Sequence, residues 1–253
     1  LRKREPPMHR RGKSRVSPKA IPQMADTRDV LANLRLDGIA TKLLAIIANE
    51  RGAQEAVSYD EIRYLGFPFS ASETFQQRNT NSSIEQSLGR VEAIQNLCVK
   101  NDKQLVVYIS MGFGNPYGDL YNEDIVFRWA NKLAGMGIGI ISLADTVGLA
   151  TPEQVLHITK HLVGALPNTE IGVHLHSTPA NWKEKLEAAI AAGCRRFDGA
   201  LKGIGGCPMA DDELVGNMDT ERMIPYLEEK GMALQLDKNA LGECGRMASA
   251  LFI

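Results

Sequence analysis

The sequence has little of what would mark it for membranes, nucleic acid or nucleotides. It holds no apolar run of the roughly eighteen residues a membrane span requires. Its four cysteines, Cys98, Cys194, Cys207 and Cys244, form no CxxC pair and no disulfide-like spacing. A reducing, cytoplasmic setting is therefore expected, or the mitochondrial matrix in a eukaryote. The net charge of −1 leaves no basic footprint for nucleic acid across the body of the chain. Neither a GxGxxG after an early strand nor a Walker sequence is present, so a nucleotide-phosphate cradle has no support.

What is there is an ordinary globular composition, 44% hydrophobic and 23% charged over 253 residues. That length fits one α/β barrel or two small domains. Residues 1–15 stand apart: lysine and arginine crowd there beside a single acid, Glu5. They read as a disordered or fragmentary terminus. A transit peptide is the weaker reading, because two prolines spoil an amphipathic helix. Residues 16–253 read as one folded domain.

Along that domain strands and helices alternate. A helix-like stretch follows Thr27, then come a strand at Lys42–Ala48, a short helix at Gly52–Val57 and a strand at Glu61–Pro68. A loop is expected over Ser70–Asn79 and an amphipathic helix over Ser83–Cys98. The strand Gln104–Ser110 leads through a Gly/Pro-rich loop to a helix capped by Asn122. The strand Gly137–Ala144 ends at Asp145. Thr151, Pro152 and Gln154 then spell a helix start with a capping box. Helix Lys183–Ala192, strand Arg196–Leu201, helix Thr220–Glu229 and a last helix near Leu241–Phe252 complete the order. Six strand–helix units with near-continuous apolar strands predict a parallel sheet. Polar residues recur at the C-terminal strand ends, which predicts an α/β fold of the (β/α)8 TIM-barrel type, incomplete at its N-terminus. An open doubly wound sheet would also place ligands at strand ends, but lacks its nucleotide signature here.

The segment Ile171–Thr178 carries the chemistry. Period-two alternation puts Val173 and Leu175 on one face and His174 and His176 on the other. Two imidazoles side by side at a strand end are a ready pair of metal ligands, although a buried histidine is more often just hydrogen-bonded. Asn217 is a third candidate, with a turn or capping role as its ordinary alternative. A nitrogen and oxygen donor set without paired cysteines points to Mg²⁺ or Mn²⁺, with Zn²⁺ also compatible. Cys207, between glycines and a proline, could act over such a site as acid, base or nucleophile; Cys98 and Cys194 read as structural. Asp145 could orient a base or a substrate hydroxyl. His157 and His161, an i,i+4 pair, fall off their helix's apolar stripe toward solvent and are rejected as ligands.

Val16-Ser-Pro-Lys-Ala-Ile-Pro-Gln-Met-Ala-Asp26, Ile141-Ser-Leu-Ala-Asp-Thr-Val-Gly148, Val173-His-Leu-His176, Gly203-Ile-Gly-Gly-Cys-Pro208 and Gly216-Asn217 occur in this order. Together they resemble the 3-hydroxy-3-methylglutaryl-CoA lyases, within the metal-dependent barrel lyases related to isopropylmalate synthase. The resemblance implies a (β/α)8 barrel that cleaves 3-hydroxy-3-methylglutaryl-CoA. It implies Mg²⁺ or Mn²⁺ on His174, His176 and Asn217, and Cys207 as the catalytic loop cysteine. It further implies that Asp145, Ser142 and Asn81 line the site and that Glu221 supports it. A base near Asp145 or His174 would take the hydroxyl proton, and the sequence does not fix which group it is. The expected partner is an acyl-CoA, with no nucleic acid and no membrane, and the expected assembly is a homodimer. Three departures stand out. The family's first-strand Arg-Asp pair has no match, Arg10–Arg15 replaces the acid that normally precedes Val-Ser-Pro-Lys, and Ser177 stands where an aspartate is common. About two βα units are thus expected to be absent or replaced by basic sequence.

Overall fold

The computed structural model describes residues 26–36, 38–205 and 215–251. The basic segment expected over residues 1–15 lies outside them. Among the described residues the strands are β1 (Leu43–Ile46), β2 (Ile62–Ser70), β3 (Gln104–Ser110), β4 (Ile140–Ala144), β5 (Glu170–His174), β6 (His176–Ser177), β7 (Arg196–Phe197) and β8 (Gly216–Asn217). The helices are α1 (Thr27–Asn33), α2 (Glu50–Val57), α3 (Glu73–Thr80), α4 (Ile84–Lys100), α5 (Glu123–Gly135), α6 (Pro152–Ala165), α7 (Trp182–Ala191), α8 (Thr220–Glu229) and α9 (Lys238–Leu251).

Six strands pair in the order β1-β2-β3-β4-β5-β7, every pair parallel, while β6 and β8 form a separate antiparallel pair. Parallel neighbours in sequence order, joined through helices, are the strand plan of a (β/α)8 barrel. The expected α/β barrel architecture is therefore observed.

The register sorts the side chains into two faces. Phe69, Ile109, Leu143, Val173 and Phe197 stand abreast on the outer face. They pack against Leu88, Val91 and Ile94 of α4, Val126 and Leu133 of α5, and Ile158 and Leu162 of α6, in one apolar core. Burying each such large side chain contributes roughly 1.5–3 kcal/mol. Pro68, Tyr108, Ser142, Gly172 and Arg196 stand abreast on the inner face. There Leu44, Ile46, Val106, Tyr108 and Ile140 make a second, smaller apolar cluster. Apolar packing on both faces is why these strands read as continuous hydrophobic runs.

Local signals predict the helix starts well. Thr151 and Gln154 form the capping box, at 3.2 and 3.1 Å, with Pro152 in the first turn. Asn122 caps α5 at 3.0 Å. Two expectations are corrected. The stretch Ser70–Asn79, expected as a loop, extends β2 to Ser70 and then forms α3. Its only large buried apolar residue is Phe75, so no helical periodicity shows; the helix is instead set by the Ser72 cap and closed by Asn81 in the left-handed region, φ 49°. The strand expected at Arg196–Leu201 pairs only at Arg196–Phe197. Beyond it Ala200 turns to bond the Met218 carbonyl, at 2.9 Å, and a short 3-10 turn follows at Leu201–Gly203.

Candidate active site

The C-terminal strand ends gather the polar residues. Ser70 lies beside Ser110, and Ala144 beside His174. His174 and His176 are each only 3% exposed, and their ring centroids stand 5.3 Å apart. Between them Leu175 points back into the outer core, as the alternation predicts.

Each ring is held through Nδ1. His174 Nδ1 lies 3.0 Å from Asp198 Oδ2, and Asp198 is itself fixed by its backbone N–H to the Val173 carbonyl, 3.3 Å. His176 Nδ1 lies 3.0 Å from the Val215 carbonyl. A carbonyl only accepts, so His176 carries its proton on Nδ1, and the neutral ring has its lone pair on Nε2. The Asp198 carboxylate selects the same tautomer at His174, as is usual behind metal-binding histidines. Tyr108 meets the His174 ring edge-on at 6.1 Å between centroids.

Asn217 is brought to the same place by the β6–β8 pairing, which sets it directly opposite His176, so the two side chains share a face. Its Nδ2 donates to the Ile204 carbonyl at 2.9 Å, which identifies Oδ1 as the oxygen available for a cation. The two imidazoles and the amide thus fit a divalent ion in donor chemistry. Among the described residues no group of three or more His, Cys, Asp or Glu side chains is arranged to hold a metal.

Cys207 lies outside the described residues, but both stems of its loop are within them. The Ile204 carbonyl engages Asn217 and the Val215 carbonyl engages His176. Gly203 and Gly216 permit this close approach. Gly203 is at φ 60°, and a Cβ there would lie 2.9 Å from the Asn217 carbonyl oxygen. Glu221 steadies the first stem, accepting the Lys202 N–H at 2.8 Å.

Asp145, expected to orient a base or a substrate hydroxyl, is held in a buried ion pair. It is 1% exposed; Oδ1 accepts the Ala150 N–H at 3.0 Å and Oδ2 pairs with Lys185 Nζ at 2.7 Å. Lys185, 1% exposed, and Asp198 behind His174 are residues of this region that sequence reading missed. The signal of Lys185 was available: it lies on the stripe that Ala188, Ala189 and Ala192 bury, where a lysine is out of place. Ser142 is buried one layer below His174, with no hydrogen-bond partner on its hydroxyl among the described residues. Asn81 is exposed at the end of α3, and its side chain accepts from Gln77 at 3.2 Å. Cys98 and Cys194 are buried, and burial pushes both thiols up to about 11, which suits structural cysteines. His157 and His161 are exposed on α6.

Comparison with known proteins bears on the family of the chain and on its fold. The HMGL-like family profile matches residues 17–247. The cytoplasmic 3-hydroxy-3-methylglutaryl-CoA lyase of Mus musculus is 32% identical over 233 residues, 91% of this chain and 66% of its own length. The hydroxymethylglutaryl-CoA lyase of Bacillus subtilis is 33% identical over 214 residues, 85% of this chain and 71% of its own. Among solved structures, an HMG-CoA lyase from A. baumannii in complex with coenzyme A and 3-methylmalate superposes with a TM-score of 0.83 at 31% identity. It covers 95% of this chain and 77% of its own. The HMG-CoA lyase of Bacillus subtilis gives 0.84 at 29% identity, over 94% and 78%. With a profile running almost end to end and relatives alike in sequence and in fold, this chain belongs to the HMGL-like family.

Proposed function

We propose that the protein is a carbon–carbon lyase that cleaves 3-hydroxy-3-methylglutaryl-CoA to acetyl-CoA and acetoacetate by a retro-Claisen reaction. The observation that carries this reading is the grip of one loop on two candidate ligands. The Val215 carbonyl holds the His176 ring, the Ile204 carbonyl holds the Asn217 amide, and Cys207 lies on the chain between them. The two described ends of the segment that carries Cys207 are thereby tied to His176 and Asn217. The relatives' names, and the coenzyme A in the A. baumannii complex, support an acyl-CoA as substrate.

His174, His176 and Asn217 would hold Mg²⁺ or Mn²⁺, which when bound supplies Lewis acidity toward the tertiary hydroxyl of the substrate. Asp198 and Val215 keep both rings in the tautomer that this requires. A base near Asp145 or His174 takes the hydroxyl proton, the oxygen becomes the ketone of acetoacetate, and the carbon–carbon bond breaks. The electron pair of that bond forms the thioester enolate, and Cys207 delivers the proton that completes acetyl-CoA. Asp145, with both oxygens engaged, supports the site from behind and does not serve as the base. Ser142 offers a buried hydroxyl to the substrate, and Glu221 holds the loop stem. Asn81 enters only through the family resemblance. A homodimer in the cytoplasm, or in the mitochondrial matrix of a eukaryote, completes the reading. Among the described residues no helix is long and apolar enough to cross a membrane.

The test is acetoacetate release from 3-hydroxy-3-methylglutaryl-CoA with Mn²⁺ or Mg²⁺, beside His174→Ala. Metal-dependent turnover that the variant loses supports the lyase. A folded, Mn²⁺-binding chain without turnover overturns the substrate assignment, and a panel of other acyl-CoA and 2-oxo-acid substrates then separates an aldolase or condensing enzyme of the same group from an inactive chain.

A further inference from the structure

We propose that Lys185 is a positioning residue that fixes the backbone beneath His176, and that with Asp145 it sets the spacing of the histidine pair. Its ammonium has three N–H donors and three acceptors around it. They are Asp145 Oδ2 at 2.7 Å, the His176 carbonyl at 2.9 Å and the Gly148 carbonyl at 3.2 Å. So fully engaged and buried, it is unsuited to act as a nucleophile.

The pattern of contacts is specific. The His174 carbonyl accepts the Asp145 N–H at 2.9 Å, and the His176 carbonyl accepts from Lys185. The Lys185–Asp145 ion pair therefore bridges the main-chain carbonyls of both histidines. Asp198 and Val215 hold the same two residues through their rings. The antiparallel β6–β8 pair that carries His176 and Asn217 is only two residues long on each strand, so its own ladder is a weak anchor. A buried ion pair adds little net stability over an apolar pair of similar size. Fixing a geometry accounts better for a lysine on the apolar side of α7.

This inference rests on the metal-site reading for one of its two tests. The variant is the double substitution Lys185→Met with Asp145→Asn in the full chain. It leaves no buried charge and keeps an acceptor for the Ala150 N–H, while removing the donors to His176 and Gly148. Mn²⁺ affinity is measured by titration calorimetry. The imidazole ¹⁵N signals of His174 and His176 are followed with those of His157 and His161 as internal references. Expected are Mn²⁺ binding weakened by about 10- to 100-fold and displaced or broadened His174 and His176 signals, with the reference signals unmoved. A purely structural role would lower the melting temperature and leave both readouts of the folded protein as in wild type, and that result overturns the proposal. If the double variant does not fold, Lys185→Arg keeps the charge but not the three-acceptor geometry; wild-type Mn²⁺ affinity and unmoved ring signals there overturn the proposal equally. A wild-type chain that binds no Mn²⁺ sinks the metal reading, and the ring signals alone then decide the role of Lys185.

Discussion

The molecule holds two pairs of histidines with spacings suited to shared ligation, and only one pair converges. His157 and His161 sit one helical turn apart on α6, both exposed. His157 Nδ1 meets Glu123 of α5 at 2.5 Å, and the His161 ring stacks on Phe127 of α5 at 3.8 Å between centroids. Each is spent on a separate helix–helix contact. His174 and His176 sit two apart on a strand end, are nearly inaccessible, and have both backbone carbonyls and both Nδ1 atoms engaged by surrounding groups. Spacing brings two rings near each other, but a buried shell that fixes tautomer and backbone together is what makes a site.

The comparison can be broken most sharply at its centre. His174→Ala should lower metal-dependent turnover by about 10³-fold or more, since several kcal/mol of transition-state stabilisation depend on the ion that His174 would help hold. Steady-state kinetics with saturating Mn²⁺ measures this, and a loss under tenfold contradicts the ligand role. The single change Lys185→Met should cost about 3–5 kcal/mol of stability, because it leaves the Asp145 carboxylate buried without its cation. Urea unfolding reads that value; a loss below about 1 kcal/mol means water or a rearrangement replaces the ammonium. Asp198→Asn retains the shape but weakens the hold on His174 Nδ1, and Mn²⁺ affinity should fall by about 10- to 100-fold. At the far end of the scale, His157→Ala and His161→Ala should each change stability by about 0.5 kcal/mol or less and leave Mn²⁺ affinity unaltered. A metal effect from either would erase the distinction between the pairs.

A second contrast is with a carboxylate at the barrel mouth. Asp119 takes hydrogen bonds from Ser72 Oγ at 2.5 Å, Thr74 N–H at 2.9 Å and Thr74 Oγ1 at 2.7 Å, tying the start of α3 to the loop after β3. Burial pushes its carboxyl up, but those hydrogen bonds and the nearby Arg78 outweigh burial and hold it below the usual aspartate range. Its contribution is therefore present above about pH 4, where the unfolded group is ionised, and is lost as pH falls through the lowered folded value. Asp119→Asn should cost about 1 kcal/mol at pH 7 and flatten this acid limb. Urea midpoints at pH 7 and pH 3 check it; a wild type that loses no more than the variant between them contradicts the latch.

Much of this was legible in the chain because the signals are local. Gln104–Ser110 is a run of apolar and β-branched residues and forms a strand over those bounds. Thr220–Glu229 likewise has the bounds read from the sequence. The histidine pair was visible because a strand's period of two is geometric. The helix α3 was not, since its stability comes from Ser72, Asn81 and the contact of Phe75 with Met111, not from a repeating apolar face. Asp145 was found but its partner was not, because the cation that pairs with it arrives from forty residues away.

The sequence by itself determined the alternation of strands and helices, the helix caps, and which residue types would crowd the C-terminal strand ends. These follow from periodicity and hydrogen bonding within a few residues. Only the tertiary structure decided that Asp198 and Val215 stand behind the two rings, that Asn217 faces His176, and that Lys185 lies beneath them. Each of those contacts joins segments far apart in the chain, and their geometry exists only once the sheet has set its register.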